Sequence, residues 1–192
     1  YESSKALAEK KVLQQVHKGM HIVIVCPTRV YGPGLLSESN ATTKLIRDYL
    51  RGRWRFLPGK GDKTGNYVFV EDVVQGHLLA MQHGLPGEKY IIGGENHSYR
   101  SFFDTLAEVS QKQYRLYGLP LRPVIALARL QSTWAALRKK EPLAPPYLLR
   151  KYTYDWPLSS DKAVRELGYR ITPLDEGFRK TLAWLDEGIN KR

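Results

Sequence analysis

The chain opens on a tyrosine and a lysine four residues apart, Tyr1-Glu2-Ser3-Ser4-Lys5, in a segment that reads as helix. Positions i and i+4 lie one turn apart on the same helix face. A cation held beside a phenol favours the phenolate and lowers the phenol pKa. Such a phenol can give a proton to, or take one from, a carbonyl/alcohol pair near neutral pH. The spacing alone is a weak signal. In a lysine-rich chain with 12 tyrosines, about one such pair arises by chance, and a second stands at Tyr147 and Lys151.

Context separates the two. After Tyr1 the helical pattern runs to about Lys18, and at about 100° per residue Tyr1, Lys5, Ala8, Val12 and Val16 share one side. Gly19 ends it. Met20-His21-Ile22-Val23-Ile24-Val25-Cys26 is then a near-continuous apolar, β-branched run, the pattern of a strand buried on both faces. Helix, glycine and buried strand in succession indicate α/β layering. Tyr147 follows Pro145-Pro146 with no such frame around it, so that pair reads as a surface coincidence.

Beyond the strand stands Pro27-Thr28-Arg29-Val30-Tyr31-Gly32-Pro33-Gly34, followed later by Asn66-Tyr67-Val68-Phe69-Val70-Glu71-Asp72 and by Lys89-Tyr90-Ile91-Ile92-Gly93-Gly94-Glu95-Asn96. In this order, with Tyr1 and Lys5, these motifs resemble the extended short-chain dehydrogenase/reductases, the NAD(P)-dependent epimerase/dehydratase family, in its dihydroflavonol-reductase-like and nucleotide-sugar-epimerase-like branch. The resemblance runs along the whole chain.

It implies a fold: α/β, the C-terminal part of a Rossmann-type doubly wound parallel sheet with a small, mostly helical substrate-binding lobe. The Rossmann portions are expected over about 1–34 and 66–95, and the lobe over about 35–65 and 96–192. It also implies roles. Tyr1 would be the catalytic acid/base, and Lys5 would lower its pKa and hold the nicotinamide ribose. The backbone around Pro27, Thr28, Arg29 and Val30 would line the nicotinamide of NAD or NADP. Arg29, Asn66 and Tyr67 would face the substrate, and the parent would pair as a homodimer. In many sugar-nucleotide members an arginine precedes the strand that begins near Tyr67. Asn66 and Tyr67 stand there instead, which leans towards an apolar or aromatic substrate.

No G-x-G-x-x-G turn for a pyrophosphate occurs in the sequence, and the family's catalytic serine or threonine has no counterpart. The expectation is that the chain is the later part of a subunit, without its dinucleotide-binding half and inactive alone. The competing class is a family member that keeps the fold as a binding or scaffold protein.

Composition bounds the rest. The length of 192 residues suits one domain, and 42% hydrophobic residues suffice for a core. The single cysteine, Cys26, excludes a disulfide framework within the chain and suits a reducing compartment, here the cytoplasm. No run of 18 apolar residues occurs that could span a bilayer. The net charge of +11 fits either attraction to an acidic partner or charge spread over helix surfaces. Basic residues are not interleaved with stacking aromatics, which argues against nucleic acid. The five histidines show no metal-ligand spacing with Cys26 or each other, so no metal is expected.

Several stretches read as structural. Lys44–Leu50 is a helix ended by Gly52, and 59–65 is a turn rather than a phosphate loop, since it lacks the G-K-[ST] ending. Asp72 reads as a first-turn helix residue favoured by the macrodipole, and His77 as packed or solvated. Ser159-Ser160 starts a short helix stopped by Gly168, and a terminal amphipathic helix follows Thr172-Pro173. The stretch Leu119–Lys140 admits three readings: a lid over an apolar substrate, a helix lying in a membrane surface, or a packing helix of the lobe.

Overall fold

The computed structural model describes residues 2–34, 40–138 and 150–190. Tyr1 and Tyr147 lie outside the described residues. The chain is mixed α/β with parallel strand pairing and divides into two compact units. The first takes residues 1–43, 66–95 and 158–192, and the second 44–65 and 96–157.

In the first unit, α1 (Glu2–Val16) leads through a turn at Gly19, φ +94°, to β1 (Ile24–Pro27). β1 pairs in parallel with β5 (Lys89–Ile92), Ile24 opposite Lys89 and Pro27 opposite Ile92. The apolar run from Met20 predicts a longer strand buried on both faces. Among the described residues β1 has a neighbour on one edge only, and Ile24, Val25 and Cys26 are half-buried. β2 (Arg29–Tyr31) pairs in parallel with β4 (Thr64–Phe69), while β6 (Glu95–Ser98) falls mostly within the second unit.

α3 (Val70–His83) follows β4 directly and packs on β5. Gly76 makes this approach possible, because a Cβ there would stand 2.7 Å from Ile92 Cγ2. Around Ile92 gather Ala80, Tyr90, Ala163, Leu167 and Tyr169, all buried. Each large apolar side chain so enclosed contributes roughly 1.5–3 kcal/mol.

The last two helices, α6 (Asp161–Leu167) and α7 (Leu174–Asn190), complete this unit. The sequence reading assigns 158–192 to the lobe; residues 158–190 pack with the first unit. The reason is specific bonding. Asp72 lies in the first turn of α3, as read, but its carboxylate accepts from Thr172 N at 2.8 Å and Thr172 Oγ1 at 2.6 Å. Glu95 accepts from Leu174 N at 2.7 Å. Gly177 sits directly against the Tyr31 hydroxyl, and the rings of Tyr31 and Phe178 meet edge-on at 5.5 Å.

In the second unit, α2 (Ala41–Leu50, most of it in this unit), α4 (Tyr99–Ser110) and α5 (Leu121–Leu137) accompany a parallel pair of short strands, β3 (Phe56–Pro58) and β7 (Tyr117–Leu119). Ile46, Tyr49, Leu57, Phe102, Phe103 and Leu106 form its buried core. Ser98 caps α4 by accepting from Ser101 N at 3.0 Å. Residues 59–65 form a turn and the start of β4. β6 and β7 escape the sequence reading, because three- and four-residue strands leave no period to detect.

Candidate active site

The motifs after β1 fold into one bonded hub at the carboxyl ends of β1 and β5, where open α/β sheets place ligands. Thr28 continues from β1, its N–H donating to Ile92 O at 3.2 Å. Its hydroxyl donates to Asn66 Oδ1 at 2.8 Å. Asn66, only 2% exposed, also binds both backbone groups of Gly94. Its Oδ1 accepts from Gly94 N at 2.9 Å, and its Nδ2 donates to Gly94 O at 2.8 Å and Leu158 O at 3.3 Å. Gly93 N donates to Ser160 Oγ at 2.9 Å, and Tyr169 OH donates to Gly93 O at 3.0 Å. A Cβ on Gly93 would fall 2.5 Å from Asn66 Oδ1 and 3.0 Å from Ser160 Oγ. The Gly93-Gly94 pair is thus required by close approach, in the manner of glycines that let polar groups reach the backbone.

On this hub stand Pro27, exposed, and Thr28, Arg29 and Val30, half-buried. Arg29 donates from Nη1 to Tyr67 OH at 3.3 Å, and its guanidinium lies 5.5 Å from the Tyr67 ring centroid. The pair is in register, since Arg29 opposes Tyr67 across β2 and β4. Asn66 is placed by the same strand on the buried face and spends its amide on Thr28, Gly94 and Leu158, an internal bonding role. Tyr67 is 4% exposed.

Lys5 is exposed on α1. Two contacts fix the direction of that helix. Val16 lies nearest Gly87, just before β5, and Glu9 pairs with Lys89 at its start. α1 therefore runs back along β5, and its first turn points towards the carboxyl-end side where Thr28 lies. At about 1.5 Å of rise per residue, Lys5 stands about 6 Å beyond Glu9 in that direction.

Burial holds the hub's phenols and its thiol in their protonated forms. Burial, reinforced by the nearby Asp72 carboxylate, pushes the phenols of Tyr31 and Tyr169 far above their ordinary value. Burial also lifts the Cys26 thiol, opposed by the Lys89 charge, so this cysteine packs as a small hydrophobe. His77 is exposed and its Nδ1 lies 2.8 Å from Val73 O, a local helix contact. Among the described residues no group of three or more His, Cys, Asp or Glu could hold a metal ion.

Ser160 and Tyr169 were missed by the sequence reading as members of this hub. Ser160 precedes α6 as the capping pattern predicts, but its hydroxyl serves Gly93 instead of the helix. No local signal marks a bond across 67 residues.

Comparison with known proteins bears on what this hub serves. Residues 1–93 match the NAD dependent epimerase/dehydratase family, and this segment holds Lys5, residues 27–30, Asn66 and Tyr67. Likeness to single proteins extends further along the chain. Sterol demethylase protein B of Methylococcus capsulatus is 28% identical over 190 residues, covering 97% of this chain and 56% of that protein. A 4-hydroxy-2-methyl-3-oxo-4-farnesyl-3,4-dihydroquinoline-1-oxide ketoreductase of Stigmatella aurantiaca is 33% identical over 179 residues, covering 90% and 52%. The Bordetella bronchiseptica enzyme WbmF, solved in complex with NAD+ and UDP, superposes with a TM-score of 0.68 at 26% identity, covering all of this chain and 53% of that one. The chain spans about half the length of the relatives it matches.

Proposed function

We propose that this chain is part of an NAD(P)-dependent oxidoreductase or epimerase acting on a carbonyl or hydroxyl carbon, with Tyr1 and Lys5 as its acid/base pair. The observation that carries the reading is the family match over residues 1–93, which contains both residues and the bonded ledge at 27–30. The ledge suits a cofactor ring in kind: Pro27 is exposed and brings no N–H to the strand end, and Val30 is half-exposed. Lys5, exposed on the first turns of α1, suits ribose hydroxyls.

The nicotinamide, when bound, supplies or accepts hydride. The chain's own part is proton chemistry and placement. The Tyr1 phenol holds or moves a proton at the substrate oxygen, and the Lys5 ammonium lowers the pKa of that phenol. Residues 27–30 position the ring, held by Thr28 and Asn66 from beneath. Arg29, stacked on Tyr67, aligns a substrate oxygen. The second unit serves as the substrate-binding lobe.

An apolar polycyclic substrate is favoured over a nucleotide sugar. Asn66 is committed to the hub, Asn66 and not an arginine stands directly before Tyr67, and relatives are named for a sterol and for a farnesylated quinoline. A homodimer and a cytoplasmic setting complete the proposal. With no glycine-rich pyrophosphate turn in these 192 residues, they bind NAD(P)H weakly by themselves and do not turn over.

The test is on the full-length protein: titrate NADH and NADPH by fluorescence, for wild type and Tyr1→Phe. One cofactor should bind both forms, and only wild type should reduce ketone substrates. If neither cofactor binds, the fold serves as a binding scaffold.

A further inference from the structure

Charge and apolar surface coincide on one helix of the second unit. Residues 109–154 contain nine lysines and arginines and one acid, Glu141, and so hold eight of the eleven net positive charges. Within this stretch lies α5, in which no acid occurs from Leu121 to Arg138. Leu127, Leu130 and Trp134 are 68%, 70% and 56% exposed, whereas Ala128 on the opposite face is buried.

Their arrangement is regular. At about 100° per residue, Leu127, Trp134, Pro123, Leu130 and Ala126 occupy one arc of about 100°. Arg138 borders the arc on one side, and Arg122 and Arg129 border it on the other, all three exposed. The Arg138 guanidinium rests 3.6 Å from the Trp134 ring centroid. This is an apolar stripe edged on both sides by arginine, with an indole beside one edge. Leucine and tryptophan seat in the acyl boundary while flanking arginines reach phosphates. A protein partner of ordinary mixed charge would call for some acid on such a face, and α5 carries none from Leu121 to Arg138. No helix of the described residues is long and apolar enough to cross a membrane.

We propose that α5 docks on an anionic lipid surface, with Leu127, Leu130 and Trp134 inserted and Arg122, Arg129 and Arg138 at the level of the phosphates. This stands apart from the catalytic reading and needs no cofactor.

The test is co-sedimentation of the protein with vesicles of phosphatidylcholine alone and of phosphatidylcholine mixed with phosphatidylserine. Wild type should bind the mixed vesicles, bind phosphatidylcholine alone far more weakly, and release as salt shortens the screening length. Replacing both Arg122→Gln and Arg129→Gln should weaken partitioning about 30-fold, at about 1 kcal/mol per basic residue near the surface. Leu130→Glu with Trp134→Glu should abolish it; these side chains are exposed, so circular dichroism should stay unchanged. Arg165→Gln with Arg170→Gln, exposed in the first unit, removes equal charge and should leave binding as it was. The proposal is overturned if wild type does not bind, if both vesicles bind alike, or if the control pair weakens binding as much as the α5 pair. It is equally overturned if the face instead holds a second copy, seen as a dimer in sedimentation velocity that Trp134→Glu dissociates.

Discussion

Replacing Asn66 by alanine removes the centre of the hub. The side chain makes four bonds: to Gly94 N at 2.9 Å, Gly94 O at 2.8 Å, the Thr28 hydroxyl at 2.8 Å and Leu158 O at 3.3 Å. A net intramolecular bond is worth about 1 kcal/mol, and a buried group left without a partner costs about 1–3 kcal/mol. The Thr28 hydroxyl is half-buried and can turn to water, and the Leu158 bond is long, so the loss falls chiefly on the two Gly94 groups. Asn66→Ala should therefore destabilise by about 3–5 kcal/mol, a large share of the 5–15 kcal/mol typical of a domain. The assay is urea unfolding followed by far-ultraviolet circular dichroism, comparing midpoints at constant slope. Asn66→Asp should be nearly as damaging, because a carboxylate keeps the acceptor for Gly94 N but turns an acceptor towards Gly94 O. A loss below about 1 kcal/mol for Asn66→Ala would refute the reasoning, showing that water or rearranged backbone satisfies Gly94.

Other consequences can be checked in the same preparations. Gly93→Ala should cost about 1–3 kcal/mol by overpacking against Asn66 and Ser160, read from the urea midpoint. Tyr31 and Tyr169 ionise far later folded than unfolded. Their stabilisation is thus complete below the ordinary phenol pKa near 10 and is lost as pH rises above it, by up to about 1.4 kcal/mol per pH unit for each tyrosine. Unfolding midpoints measured between neutral pH and pH about 11 should fall, and Tyr169→Phe should flatten that slope. Asp155 titrates below its usual value because Lys63 and the Thr64 N–H bind its carboxylate. Its NMR titration should move back up towards the ordinary value in Lys63→Met. In the full-length protein Lys5→Met should lower kcat/KM and move the basic limb of the pH profile upward, as a phenol deprived of its cation requires.

Much of the architecture was legible because it is written in local pattern. The 3.6-residue period gave α1 and α7, the β-branched run located β1, and the glycines at 19, 52 and 168 marked stops that the positive backbone angles confirm. The order of four short motifs pointed to a family resemblance, and that family's model matches residues 1–93. These features depend on neighbours within a few residues, and a sequence displays them directly. Tertiary structure alone decided the rest. It enclosed Asn66 against Gly94, and it drew Asp72 to Thr172 and Ser160 to Gly93. It assigned 158–190 to the first unit, where the lobe had been expected. Each of these contacts joins residues far apart in the chain, chosen by which polar group would otherwise be buried without a partner, and no local period encodes that choice.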